Sequence, residues 1–138
     1  MDDAVKELLR RNRAAAAEEL TALRGGADLA LPELEAHLRR FILYKFQLDP
    51  AETDSDSIAE ITELSLAKTA GIARELAEQV DNAKSCDGAT SAIVKKALLL
   101  TAIQNGLGIT LDKKRAVRCK TVSGLAALVH EALRAAKN

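Results

Sequence analysis

The chain predicts an all-α fold, a bundle of amphipathic helices, and three observations carry that expectation. Aromatic residues are almost absent, with two Phe, one Tyr and no Trp, so the core must be built from Leu, Ile, Val and Ala. Strands favour β-branched and aromatic residues, whereas small aliphatic side chains suit closely packed helices. Apolar residues recur at helical spacing through most of the chain, and only two prolines interrupt it. A hydrophobic content of 48% over 138 residues suffices for one core.

The first helix is expected over Asp3 to Arg24, with Val5, Leu8, Leu9, Ala15, Ala16, Leu20 and Leu23 near one face and Gly25-Gly26 as its stop. Its stripe is narrow and alanine-rich. Residues 1–27 therefore read as an accessory helix beside a domain at 28–138, and the stripe offers a surface on which a second copy could pair. The second helix opens at Leu31-Pro32, where proline's missing N–H costs nothing, and carries Leu34, Leu38, Phe41, Ile42 and Leu48. Glu33, Glu35, Arg39 and Arg40 are expected to face water, and Asp49-Pro50 to close the helix.

A polar stretch, residues 51–56, leads to a third helix at about 57–80. Ser57 and Glu60 have capping-box spacing ahead of Ile58, Ile61, Leu64, Ile72, Leu76 and Val80. A loop over 81–88 follows. The fourth helix, Thr90 to Asn105, is apolar nearly all round, which predicts the buried centre of the bundle with Lys95-Lys96 as its exposed strip. Gly106 and Gly108 break it. A short turn over Asp112 to Arg118 is expected before a last helix capped by Thr121 and carrying Val122, Leu125, Leu128, Val129 and Leu133.

Several function classes are disfavoured. Twenty basic and twenty acidic residues leave no cationic excess for nucleic acid. No apolar run is long enough to span a bilayer, and the first residues lack the layout of a signal peptide, so a cytoplasmic protein is expected. Cys86 and Cys119 form no CxxC pair, and His37 and His130 lie far from each other, so no metal-ligand spacing exists. P-loop, GxGxxG and nucleophile-elbow motifs are missing, and no enzyme is expected.

Two segments resemble acyl carrier proteins. Tyr44-Lys45-Phe46-Gln47-Leu48 running into Asp49-Pro50-Ala51-Glu52-Thr53 is similar to that family's first helix and its "LG-DPEEIT-D-SF" loop. Gly88-Ala89-Thr90-Ser91-Ala92 resembles its GADSL attachment motif. Leu107-Gly108-Ile109-Thr110-Leu111 stands for "FGIEIP", and Lys120-Thr121-Val122 with Leu125 for the "I-TV-DL" entry to the last helix. The likeness runs in order through most of residues 30–135, with roughly two dozen extra residues between its halves, room for the inserted helix at about 57–80. Thr90 stands in the place of the family's aspartate, and Lys95-Lys96 in a helix that is acidic in the family.

The resemblance implies an acyl carrier protein-like bundle with additional helices. It would hold an acyl or aminoacyl group as a thioester on a 4'-phosphopantetheine arm. Its partners would be a phosphopantetheinyl transferase and acyl-loading or acyl-using enzymes. A helix N-terminus suits the phosphodiester, because free N–H groups and the dipole favour an anion. Ser91 is the first candidate for attachment, and helix capping is the other reading of it. Ser57, in Asp56-Ser57-Ile58, is the alternative; Ser65, in mid-helix, is a weaker one. Lys95 and Lys96 are candidates for docking an acidic partner, and Cys86, ahead of a helix start, for a thiol of lowered pKa. An unmodified helical adaptor of the same shape is the competing function.

Overall fold

The computed structural model describes the backbone of residues 3–79 and 88–137, and side chains within those ranges except residues 71–91. Among the described residues six α-helices make up the architecture. Helix α1, Asp3–Arg24, ends where Gly25 and a single 3-10 turn at Gly26–Asp28 redirect the chain. Gly26 is buried, and a Cβ there would come within 2.8 Å of Leu34 and Leu133 side chains, so the turn owes its close approach to glycine.

Helix α2, Leu31–Lys45, carries proline in its first turn as expected. It stops four residues before the Asp49-Pro50 boundary that the sequence suggested. Gln47 turns left-handed at φ 63°, Leu48 N–H donates to Leu43 C=O at 2.8 Å, and Gln47 N–H to Tyr44 C=O at 3.0 Å. That is a Schellman stop with glutamine in the place glycine usually fills. Leu48 is drawn into the core rather than continuing the helix. Asp49 and Glu52 then form a capping box on a 3-10 turn at Pro50–Glu52.

Helix α3 spans Ile58–Gln79 and helix α4 Gly88–Leu107. Helix α4 continues through Gly106 and closes on Gly108, at φ 66°, with Ile109 N–H reaching back to Gln104 C=O. Gly106 serves packing instead, since a Cβ there would fall 2.7 Å from Leu20 of α1. Helix α5, Lys113–Arg118, is the expected short turn, capped by the Asp112 carboxylate. Helix α6, Val122–Lys137, starts after Thr121, whose hydroxyl accepts the Gly124 N–H at 3.0 Å.

The core sits between α2 and α6. Leu34, Leu38, Phe41, Ile42 and Leu43 face Val122, Leu125, Ala126, Val129 and Leu133, all buried. Helix α1 lies along α2 and adds Ala16 and Leu23 to the same core cluster. The second half of its apolar stripe, Ala16, Leu20 and Leu23, is therefore occupied within the chain, and this part of α1 forms a wall of the bundle. Three further ties hold it there. Asn12 donates to Gln47 at 2.9 Å, Arg24 to Gly106 C=O at 3.1 Å, and Glu19 accepts from Arg40 at 2.8 Å while standing 3.0 Å from His37 Nδ1.

Three expectations about surfaces are corrected. Helix α4 is not the buried centre: Leu99 and Ile103 are buried, but Ile93, Val94 and Leu98 are 71%, 47% and 63% exposed. Lys95 and Lys96 are not its exposed strip. Lys95 lies half-buried with Nζ 5.0 Å from the centroid of the Phe46 ring, and desolvation pushes its pKa down. Lys96 donates to the carbonyls of Val117 and Cys119, both at 2.8 Å, capping the C-terminal end of α5. Finally, Arg39 and Arg40 do not simply face water. Arg39 donates to the carbonyls of Ser55 and Thr53, pinning the polar stretch, and Arg40 holds α1.

Candidate functional site

The N-termini of α3 and α6 meet side by side. An antiparallel bridge pairs Ser57 with Thr121, Ile58 N–H donating to Lys120 C=O and Val122 N–H to Asp56 C=O, both at 2.9 Å. Each paired residue caps its own helix. Ser57 Oγ accepts the Glu60 N–H at 3.2 Å, as Thr121 Oγ1 accepts from Gly124. The return arm of the expected Ser57–Glu60 box goes elsewhere: Glu60 accepts from the Ser55 hydroxyl, and Ser55 Oγ in turn accepts the Ser57 N–H. Asp56 spans the junction, its carboxylate accepting from the Ser123 N–H at 3.2 Å and hydroxyl at 2.8 Å. A carboxylate at a helix N-terminus satisfies orphan donors and the dipole together.

Ser57 opens onto a cleft of about 860 Å³ between α3, α4 and α5. Its floor is apolar: Ile58 and Ala59 from α3, Ala92, Ile93, Ala97 and Leu100 from α4, and Val117 from α5. Ile93 and Val117, 71% and 65% exposed, leave it open to solvent. Among the described residues three lysines, Lys96, Lys113 and Lys120, stand in its lining against one acidic residue, Glu63. The cleft exists because α4 contributes only part of its apolar surface to the core and α5 is too short to cover the rest.

The sequence candidates fall unevenly on this site. Ser57 is at a helix start, partly exposed and on the cleft wall. Ser91 has its backbone in the first turn of α4, as the fourth residue of a helix that starts at Gly88; its side chain lies outside the described residues, as does that of Thr90. Cys86 lies wholly outside them. Ser65 is fully buried and donates to Phe46 C=O at 2.6 Å, a tie between α3 and the end of α2. Cys119, partly exposed, lines the cleft at the end of α5. Sequence reasoning missed the cleft, because its walls come from three separated segments. The run of cations from Lys113 to Lys120 around Ala116-Val117 was the visible signal.

Among the described residues no cluster of His, Cys, Asp or Glu is arranged to hold a metal ion, and no helix is long and apolar enough to cross a membrane. Comparison with protein-family models, with curated proteins and with solved structures finds no match to this chain.

Proposed function

We propose that this protein is a carrier that holds an acyl or aminoacyl group as a thioester on a phosphopantetheine arm and presents it to partner enzymes. One observation carries the reading: the Ser57 hydroxyl sits at the leading end of α3, partly exposed, on the rim of an apolar cleft. Attachment there would place the phosphodiester at a helix N-terminus, where backbone N–H groups and the dipole favour negative charge. Lys120, on the same rim, adds a cation. The chain itself supplies only the hydroxyl. A transferase would make the phosphoester by displacing adenosine 3',5'-bisphosphate from coenzyme A, and separate enzymes would load and use the thiol. Ser57 is preferred over Ser91 because it precedes its helix, whereas Ser91 lies within one.

The unmodified adaptor is the second reading, and the exposure of Ile93, Val94, Leu98 and Val117 favours it. Incubation with coenzyme A and a broad-specificity phosphopantetheinyl transferase, read by intact mass, separates the two. The carrier reading expects one added phosphopantetheine in the wild type and in Ser91→Ala, and none in Ser57→Ala. An unchanged wild-type mass beside a control carrier that is modified would leave the adaptor.

A further inference from the structure

We infer that the cleft between α3, α4 and α5 is a docking groove for an acidic amphipathic helix of a partner protein. The inference is independent of any arm on Ser57. Apolar patches of this kind that stay open to solvent mark interaction sites more often than chance. Here the chemistry of the lining identifies the occupant.

The floor is apolar and the edges are basic. Ile58, Ile93, Ala97, Leu100 and Val117 offer nothing to a phosphate or a base, and no described aromatic side chain lines the groove for stacking, so nucleic acid is a poor fit. Lys113 and Lys120 flank the floor at α5, with Lys114 and Arg118 exposed beside them. The acidic groups near this edge are largely engaged: Asp112 caps α5, Asp56 caps α6, and Glu131 is paired with Arg115. Among the described residues Glu63 is the one acid in the lining beside these lysines, so the rim keeps a basic excess. It would repel the same rim on a second copy, which argues for a partner of opposite sign.

Shape narrows the choice further. A flat bilayer cannot follow a concave floor. A bare alkyl chain lying there would stay wet on the side left open at Ile93 and Val117. A helix about 10 Å across with apolar residues at i, i+3, i+4 and i+7 fills the floor and turns its polar face to water. Strand addition is not available, because the groove walls are helices whose backbone groups are already paired.

The test uses the full, unmodified chain and a fluorescently labelled peptide of about 18 residues, five helical turns, with leucines at those anchor positions and glutamates elsewhere. A second peptide carries lysines in place of the glutamates. Expected is saturable one-to-one binding of the acidic peptide, weakened by salt. The lysine version should bind at least about tenfold more weakly, and Val117→Glu and the double change Lys113→Glu/Lys120→Glu should each weaken the acidic peptide by about tenfold or more. Both variants alter exposed side chains, so the fold survives and circular dichroism verifies it. Equal affinity for the two peptides, indifference to these variants or no saturable binding would overturn the inference. So would saturable binding of laurate or of phosphatidylserine vesicles in place of the peptide, which would make the cleft a lipid site.

Discussion

Glu19 shows how one side chain fastens α1 to the rest. Burial acts to raise its pKa, but hydrogen bonds from Arg40 and His37, together with their charges, outweigh that and hold the carboxyl below its ordinary range. With the folded value depressed, the stabilisation is fully present above the carboxylate pKa of the unfolded chain and is lost as pH falls through the folded one. Glu19→Gln is therefore expected to lower unfolding free energy by about 1–2 kcal/mol near neutrality. The difference should shrink as urea denaturation is repeated at progressively more acidic pH. Gly108 is a second single-residue device. Its φ of 66° is strained for any L side chain, while a Cβ there meets nothing within 4 Å. Gly108→Ala is expected to lower stability by about 1 kcal/mol through backbone strain alone, with no change in the core as read by near-UV or NMR signals. That stop was visible in the sequence because it is a glycine. Gln47, which does the same for α2, was not, since nothing about a glutamine announces a left-handed residue.

Among elements, the junction of α3 with α6 does most to set the geometry of the site. Asp56, Ser57 and Thr121 cap two helices and bridge them, so the loss of Asp56 reaches both. Asp56→Ala is expected to cost about 1–2 kcal/mol, the range of a lost helix cap. Because the bridge also orients Ser57 against the cleft, the same change should broaden the NMR signals of Ile58 and Lys120. The helices themselves were legible. Periodicity and caps placed α1 and the starts of α3 and α6 to within a residue or two, because each of those boundaries carries its own signal. Partnership between elements was not. An all-apolar α4 read as the bundle centre, yet the centre is α2 against α6, and α4 leaves Ile93, Val94 and Leu98 outside. Hydrophobic period reports which faces want to be buried, and says nothing of which neighbour is long enough to bury them. The reading of Lys95 and Lys96 as an exposed strip failed for a related reason: a long stem lets a lysine lie over Phe46 or reach a distant carbonyl.

At the scale of the molecule, α1 completes the core against α2 and touches α4, leaving the cleft on the side that α3, α4 and α5 share. Core truncation should be felt throughout: Leu38→Ala, at a fully buried position, is expected to destabilise by about 2–5 kcal/mol in chemical denaturation. Val117→Ala, on the cleft, should change stability by less than about 0.5 kcal/mol, as an exposed position does. That contrast would separate a fold determinant from a binding surface. The most direct measurement of the carrier proposal is a tandem mass spectrum of the protein after incubation with coenzyme A and an active transferase. Phosphopantetheine on the fragment containing Asp56-Ser57-Ile58 is the expected result. An unmodified chain, or the group found on Ser91 instead, would contradict it.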